Sequence, residues 1–421
     1  MAYALGVILF AVGILVSVCL HEAGHMVTAK AFGMKVTRYF VGFGPTLWSF
    51  RRGETEYGVK AIPAGGFVKI VGMTPLEDDV DEADQPRAFW RQPVWKRTIV
   101  LSAGSLTHFV LGFALLLIAA VFVGLPNPTP LSDVKPTISQ VSACVVPGWE
   151  LGPRGDLRGC RPGDPVSPAR AAGLRAGDTL VAVGATRVAN YGEAQRAIRS
   201  APAGPTRITF VRDGREHTVT ADLVATHRPP LGVSAPTAGT RTETVSALGF
   251  SPQLPPATVR YGPAEGLSQS VRSTGQLFTG TFAAIGKFPE KVPKLFHALR
   301  GQQRDPETPI SVVGASRIGG EALSAPGPGG ATIFLLVLAS LNVFIGIFNL
   351  FPLLPLDGGH IAIVWFERVR SWIAVRLGRP DPGRVDYNKL MPITYAVVLV
   401  FGAISILTIV TDIVNPVRLF Q

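Results

Sequence analysis

Two histidines and a glutamate stand at the end of the first apolar stretch of this 421-residue chain, in the run His21-Glu22-Ala23-Gly24-His25. HExxH on a helix places the two imidazoles one turn apart on the same face, where both can bind one zinc ion. The glutamate between them can then take a proton from an attacking water. The pattern therefore predicts a metal centre for hydrolysis.

A carboxylate far along the chain can complete this centre. An apolar segment near the C-terminus breaks at Pro352 and Pro355 and is followed directly by Asp357. Catalytic zinc sites take three protein ligands and keep a fourth position open. His21, His25 and Asp357 would supply those three ligands from two helices that enter the same depth of a bilayer.

The elements that position these residues are predicted to span a membrane. Mean hydropathy is +0.31 and only 16% of residues are charged, which is typical of a membrane protein. Four segments approach the ~20 residues that a membrane helix needs, namely 4–20, 98–123, 331–351 and 391–414. Ionisable groups at membrane depth are costly and indicate function by default. The motif thus predicts a protease that works inside the membrane.

The net charge of +11 follows the membrane topology and does not indicate nucleic-acid binding. Eleven Lys/Arg lie between Lys30 and Arg97, and six more lie between Arg368 and Lys389. The positive-inside rule places both of these loops in the cytoplasm. Both termini and the long 124–330 segment are then expected on the outside. There Cys144 and Cys160 could form a disulfide or remain free thiols.

The segments between the spans carry weaker signals. Glu54–Lys60 and Gly66–Ile70 alternate apolar and polar residues around Pro63 and Gly65, which predicts a hairpin-like sheet element beside the active helix. The stretch 87–97, with its two tryptophans, is expected to anchor at the membrane interface. Asp213-Gly214 predicts a hairpin turn in a small external domain.

HExGH in the first span together with NxxPxxPLDGG in a later span resembles the site-2 protease family. These are zinc intramembrane proteases of regulated proteolysis, and the likeness is to the bacterial branch and, within it, to actinobacterial members. The resemblance covers nearly the whole chain. Residues 56–69 look like the family's membrane-associated hairpin, 167–178 look like the start of its PDZ domain, and 310–314 are similar to the stretch before its third span.

The resemblance implies a fold and a division of the chain. The fold is a polytopic α-helical membrane protein with four transmembrane helices, a membrane-associated β-hairpin and an inserted extracytoplasmic PDZ-like α/β domain. The predicted parts are 1–30 for the first span with HExxH, 31–97 for a cytoplasmic-side hairpin and interface segment, 98–124 for the second span, 125–135 for a linker, 136–225 for the PDZ-like domain, 226–330 for a linker and amphipathic helix, 331–360 for the third span with NxxPxxPLDGG, 361–390 for a cytoplasmic loop and 391–415 for the fourth span.

The resemblance also implies roles for single residues. His21, His25 and Asp357 would bind one zinc ion per chain, and Glu22 would be the general base. Asn349 matches the motif asparagine that is proposed to bind substrate backbone or the developing oxyanion. Its alternative role is to satisfy backbone groups freed by Pro352.

Three positions depart from the family's pattern or compete with it. The family often has a second asparagine where this chain has Phe344, and the nearest asparagine is Asn342. His108 stands where span two often has asparagine, so it is either a partner behind the ligands or a hydrogen-bonded packing histidine. His360 is an alternative metal ligand that the PLDGG match disfavours.

The predicted activity is cleavage of single-span membrane proteins, such as an anti-sigma factor, after a first external cut. The expected partners are these substrates and the lipid bilayer, with no nucleic acid, and the expected location is the inner (plasma) membrane with the active site near its cytoplasmic side. An insertion at 144–165 interrupts the PDZ-like pattern. The alternative function is an inactive membrane scaffold that binds partners through the PDZ-like domain.

Overall fold

A computed structural model describes residues 1–73, 80–152, 157–233, 239–302, 304–305, 307–325, 327 and 329–417. These residues form two compact units. The membrane unit consists of residues 1–125 and the chain from Thr258 onward, and the inserted domain is the segment Pro126–Ala257. Part of the acidic run at 77–84 lies outside the described residues.

The helices, in chain order, are α1 Ala2–Ala31, α2 Val94–Ile118, α3 Pro168–Ala171, α4 Tyr191–Ser200, α5 Pro263–Gly286, α6 Phe288–Leu299, α7 Val312–Ser324, α8 Gly329–Asn349, α9 Asp357–Arg376 and α10 Met391–Val414. The strands are β1 Val36–Arg52, β2 Thr55–Ile70, β3 Leu125–Pro126, β4 Ile138–Val141, β5 Thr179–Val183, β6 Thr186–Arg187, β7 Gly204–Arg212, β8 Arg215–Arg228, β9 Glu243–Ala247, β10 Phe250–Pro252 and β11 Thr258–Val259. Short helical turns occur at Gln85–Arg87, Phe89–Arg91, Ala119–Val123, Leu131–Asp133 and Tyr387–Lys389.

Four helices of the described chain are long and apolar enough to cross a membrane: α1, α2 with its extension to Val123, α8 and α10. These helices match the four predicted spans. The third one ends earlier than expected, because α8 stops at Asn349 before the two prolines. The segment 361–390, expected as a loop between spans, is largely helical. Asp357 begins the separate helix α9, which continues to Arg376.

The sheet element after α1 is present, but its pairing differs from the expected one. Glu54–Lys60 and Gly66–Ile70 do not pair with each other; apart from Glu54, they lie in the same strand, β2. The unpredicted β1 lies between them, because Tyr39 pairs with both Tyr57 and Val68. Each strand therefore bends, and the two halves of β1 and the two halves of β2 form a sheet of four paired segments. The turn that joins β1 to β2 is at Gly53 (φ 63°).

The inserted domain contains a five-stranded antiparallel sheet in the order β6-β5-β7-β8-β9, and β4 pairs with β10. Its core lies between this sheet, α3 and α4, and includes Leu180, Ile208 and Phe210. The turn at Asp213-Gly214 joins β7 to β8 as predicted. A disulfide joins Cys144 to Cys160, which selects the bonded alternative.

The segment 226–330 is more structured than the expected linker and amphipathic helix. β8 runs on to Arg228 and pairs with β9, so the inserted domain extends to Ala257. The part expected as linker also contains β9 and β10, which are separated at Gly249, where φ is 82°. The expected amphipathic helix is two helices, α5 and α6, and the sequence patterns did not predict α7.

Candidate metal centre

The two histidines of HExxH lie on the face of α1 that packs against α2. The imidazoles of His21 and His25 are four residues apart, and both are buried. Nδ1 of His25 lies 2.7 Å from the carbonyl oxygen of Val100 on α2. A carbonyl only accepts, so Nδ1 carries the proton and Nε2 keeps its lone pair for a metal.

Glycines let the two helices approach each other at this point. A methyl group at Gly24 would lie 2.7 Å from Oγ1 of Thr107 and 2.8 Å from the carbonyl oxygen of Ala103. A methyl group at Gly104 would lie 2.6 Å from both ring nitrogens of His21. Ordinary contacts between heavy atoms begin near 3.5 Å. The His21 ring therefore rests directly on the backbone of α2.

Asp357 reaches the histidines from the first turn of α9. The loop between α8 and α9 folds back on itself, and the N–H of Leu356 donates to the carbonyl of Leu353. A side chain at Gly358 would overlap the backbone of residues 350–351, and one at Gly359 would lie 2.6 Å from the Leu353 carbonyl carbon. The two glycines of PLDGG thus permit the packing that presents Asp357.

The three ligand atoms form a nearly equilateral triangle. The Nε2 atoms of His21 and His25 are 3.1 Å apart, and each lies 3.4 Å from Oδ2 of Asp357. Ligands at about 2.0–2.2 Å from a tetrahedral zinc ion lie about 3.3–3.6 Å from one another. The spacing therefore fits zinc. In the described chain, this is the group of histidine, cysteine or carboxylate side chains that could hold a metal.

A missing hydrogen bond supports the same fit. Oδ2 of Asp357 is buried and has no hydrogen-bond donor among the described residues. An unpartnered buried carboxylate oxygen is costly unless it coordinates a cation. Two imidazoles and one carboxylate are a donor set typical of catalytic zinc sites.

Glu22 lies between the ligands and β2. A methyl group built at Gly66 of β2 would lie 3.5 Å from the Cγ of Glu22. The sheet is tied to α1 by the hydroxyl of Tyr39, which donates to the carbonyl of Cys19 at 2.7 Å. The C-terminal part of β2 therefore runs beside the glutamate of the motif.

His108 is buried behind the ligands. Its Nδ1 lies 2.9 Å from Oδ1 of Asn342, whose Nδ2 donates to the Leu338 carbonyl at 2.9 Å. Its ring centroid lies 5.1 Å from that of His21. His108 is thus a hydrogen-bonded packing residue that contacts a ligand ring, and Asn342 holds it in place. No hydrogen bond joins His108 to the three ligands in the described chain.

The other two candidates are separate from the triangle. Asn349 is the last residue of α8 and is half-buried, and its amide makes no hydrogen bond to the described residues. The expected alternative, a bond to backbone freed by Pro352, is therefore not formed in this part of the chain. His360 stacks on Tyr387 with ring centroids 6.1 Å apart and does not join the ligand cluster.

Sequence reasoning missed Gly104 and the His108–Asn342 pair. The available signal for Gly104 was its position inside an apolar span. Glycine in a helix interior lowers the stability of the helix, so its presence there often indicates close packing. Asn342 was set aside because its spacing departs from the family's pattern. A buried amide in a span needs a partner, which would have suggested His108.

A family model described as Peptidase family M50 matches residues 9–376, which contain the whole metal cluster. The chain belongs to this family. Its M50 relatives include the zinc metalloprotease Rip1 of Mycolicibacterium smegmatis, 45% identical over 428 residues, and Rip1 of Mycobacterium tuberculosis, 43% identical over 425 residues. In both cases the alignment covers 100% of this chain and 100% of the relative.

The family, the activity class and the cofactor are thereby confirmed. The protein is a zinc metalloendopeptidase of the site-2 protease type with several membrane-spanning helices. The inactive-scaffold alternative is disfavoured, because the chain belongs to a peptidase family and its His21, His25 and Asp357 form one group that could hold a metal ion.

Proposed function

We propose that this protein cleaves single-span membrane proteins within the bilayer, with His21, His25 and Asp357 as the zinc ligands and Glu22 as the general base. The observation that carries this proposal is the triangle of two Nε2 atoms and one Oδ2 atom, with sides of 3.1–3.4 Å, next to the Glu22 carboxylate.

Each residue has a distinct task in peptide hydrolysis. A zinc ion held by His21, His25 and Asp357 would supply Lewis-acid chemistry, activating water for attack and polarising the scissile carbonyl. Glu22 accepts a proton from the attacking water and passes it to the leaving amine, so that the amine departs neutral. Val100 fixes the tautomer of His25 through Nδ1, and the backbone of α2 at Gly104 fixes the ring of His21.

Asn349 is assigned to the substrate. Its amide is half-buried and makes no hydrogen bond to the described residues. Asn349 lies eight positions before Asp357, directly before the segment that connects α8 to α9. A free amide N–H₂ can donate to substrate backbone or to the oxyanion that develops on the scissile carbonyl. Asn349→Ala is expected to lower kcat by about 10²-fold, the usual cost of one oxyanion donor, with unchanged zinc content.

Zinc content and cleavage of a model single-span protein, measured together, test the assignment of Glu22. Glu22→Gln keeps the size of the side chain and the ligands but removes the base. It is expected to retain one zinc per chain and to lose cleavage. Glu290→Gln, an exposed position on α6, is the matched control and should behave as wild type. Turnover by Glu22→Gln at the wild-type rate would contradict the mechanism.

A substrate segment must be extended to be cut, because helical peptide bonds are protected by their hydrogen bonds. The C-terminal ribbon of β2, Gly66–Ile70, pairs with β1 on one side and lies beside Glu22 on the other. Addition of an unwound substrate strand to that edge would place its backbone next to the base. Helix-destabilising residues in the substrate span are therefore expected to raise its cleavage rate.

The inserted domain is assigned as a PDZ-like filter that admits substrates already trimmed on the outside, such as an anti-sigma factor. Its five-stranded antiparallel sheet with two helices supports this assignment. The two ends of the domain lie together, because the N–H of Asn127 donates to the carbonyl of Ala257 at 3.0 Å. The domain can therefore be replaced by a short linker between these ends.

That replacement is the test of the filter. Wild type should cleave only the trimmed substrate, and the variant with a glycine–serine linker in place of residues 128–255 should cleave trimmed and untrimmed substrates alike. If both proteins discriminate equally, the domain is a spacer. Zinc content serves as the control for correct folding of the membrane unit.

The proposed orientation places both termini and the inserted domain outside the plasma membrane and the active site near the cytoplasmic face. It rests on the positive charge of the segments 30–97 and 368–389. Cysteines introduced at the exposed positions Lys389 and Ser200 should react with an impermeant maleimide from opposite sides of the membrane. Labelling of both from the same side would reverse or reject this topology.

A further inference from the structure

Helix α9 has one face fixed to the membrane unit. Val364 belongs to the buried cluster that also contains Leu101 of α2. Next to it, the Glu367 carboxylate pairs with Arg97 of α2 at 3.3 Å and accepts the N–H of Val385 at 2.9 Å. These contacts set the rotation of α9 about its own axis.

The opposite face of α9 is apolar and exposed. Trp365, Phe366, Val369, Trp372 and Ile373 are each between 45 and 57% exposed. At 100° per residue these positions cover an arc of about 120°, centred roughly opposite Val364 and Glu367. An apolar arc of this width on a helix is the face that a core or a membrane normally covers.

Arginines border this apolar face. At 100° per residue, Arg368 lies about 40° beyond the edge at Trp372, and Arg370 lies about 40° beyond the edge at Phe366. Arg376 closes its C-terminal end, and its guanidinium lies 4.3 Å from the ring centroid of Trp372. Arg368 and Arg376 are exposed and make no ion pair among the described residues. Apolar side chains flanked by arginines whose charged ends reach outward are typical of a helix in a membrane interface.

The neighbours of α9 hold it at that interface. The candidate span α8 ends at Asn349, just before it, and the candidate span α10 begins at Met391, just after it. The connections are residues 350–356 and 377–390, so α9 lies in the chain between two candidate spans, which keeps it near the end of the bilayer core. The turn after α9 adds Arg379, which is exposed and unpaired in the described chain.

We propose that α9 lies in the leaflet interface and that its arginine border binds anionic phospholipid headgroups. The occupant of the exposed face is therefore lipid: the indole and phenyl rings contact acyl chains while Arg368, Arg376 and Arg379 contact phosphates. A second copy of this chain or another protein would need acidic groups to match this border. The charge complementarity favours an anionic leaflet.

This surface also bears on catalysis, a step that rests on the proposed role of Asp357. Asp357 is the first residue of α9. Because α9 moves as one helix, headgroups that hold its far end restrict the position of the carboxylate at its near end. Cleavage is thus expected to rise with the anionic lipid content of the bilayer.

Tryptophan quenching in vesicles tests the lipid contact without any cleavage assay. The full chain is reconstituted in phosphatidylcholine vesicles that contain brominated phosphatidylglycerol or, at equal mole fraction, brominated phosphatidylcholine. Subtracting the signal of a Trp365→Phe/Trp372→Phe variant isolates these two rings. If that variant fails to fold, each single substitution is used in turn. We expect quenching by both lipids and stronger quenching by the brominated phosphatidylglycerol.

The charge border is tested with two matched triple variants. Replacing Arg368, Arg376 and Arg379 by Gln should lower the preference for phosphatidylglycerol at least fivefold, since one arginine near an anionic surface contributes about fivefold. The control triple makes the same change at exposed arginines of the inserted domain, Arg187, Arg207 and Arg215. It should keep the wild-type preference.

Three results would overturn the proposal. The first is no quenching of Trp365 and Trp372 by either lipid, which would mean that protein or water covers the face. The second is equal quenching by the two lipids, and the third is equal effects of the two triple variants. Cleavage measured in the same vesicles separates this outcome from the active-site assignment. Lipid preference without activity would leave the surface intact and reject the role of the metal site.

Discussion

Gly104→Ala is a single added methyl group aimed at the ring of one proposed zinc ligand. The methyl group would lie 2.6 Å from Nδ1 and Nε2 of His21. Ordinary contacts need about 3.5 Å, so the ring must move by about 1 Å. The backbone of α2 cannot move instead of the ring, because the same helix packs tightly on α1. A methyl group at Gly24 of α1 would lie only 2.8 Å from the Ala103 carbonyl oxygen of α2.

The expected loss follows from that displacement. A shift of about 1 Å in a catalytic group lowers turnover by about 10²-fold. Disturbing the support of a metal ligand lowers metal affinity by about 10–100-fold. Alanine favours a helix over glycine by about 1 kcal/mol, so α2 itself should be no less stable. Loss of zinc and activity with an intact fold is the signature of a displaced ring.

The assay measures bound zinc at buffered free zinc, cleavage of a single-span substrate and thermal unfolding in detergent. Gly112→Ala, on the same helix, is the control, because its methyl group would meet Cγ2 of Val343 at 3.0 Å and the Ala339 carbonyl oxygen at 3.2 Å, contacts that shifts of a few tenths of an ångström relieve. The control should stay within a few-fold of wild type. Gly104→Ala with wild-type zinc affinity and turnover would refute the packing of His21 on α2.

Two further predictions concern buried charges away from the metal. Asp412→Asn leaves the guanidinium of Arg304 buried without its carboxylate, which lies at 2.6 Å in wild type. The free energy of unfolding should fall by about 3–5 kcal/mol, so the variant should unfold at a lower temperature. An Arg304→Met/Asp412→Leu double variant that unfolds at no higher temperature than Asp412→Asn would contradict this. Burial acts to raise the pKa of the Asp178 carboxyl, but hydrogen bonds from Arg212 and the Arg175 N–H lower it below its usual value. The inserted domain should therefore keep this stabilisation above about pH 4 and lose it as the pH falls through the lowered native pKa; hydrogen exchange of its amides should accelerate there in wild type and show no such step in Asp178→Asn.

The long apolar helices and the clustered residues His21, His25 and Asp357 could be predicted, because each signal depends on local chemistry. Apolar length alone locates α1, α2, α8 and α10, and HExxH encodes its own geometry through the helical repeat. Asp357 was within reach because two prolines interrupt an apolar run just before it. The family resemblance then joined two motifs that the sequence separates by about 330 residues.

The pairing of β1 and β2 could not be predicted in the same way. The alternating runs in β2 are compatible with a hairpin between them, and only the tertiary fold places Tyr39 between Tyr57 and Val68. The helix within the expected loop 361–390 was missed for a related reason. Six basic residues between Arg368 and Lys389 dominate the composition. Because of these charges, the apolar face of α9 could not be recognised from the sequence. It is recognised only once the structure shows which face of α9 is buried.

The order of synthesis limits when this enzyme can act. The membrane unit is assembled from the two ends of the chain, and the inserted domain is made between them. His25 leaves the ribosome about 330 residues before Asp357, which at ordinary elongation rates of about 5–20 residues per second corresponds to roughly 15–70 s. Throughout that interval the nascent chain holds two of the three proposed ligands and no complete centre. A protease that hydrolyses membrane proteins is thereby kept silent until its last helices have been inserted.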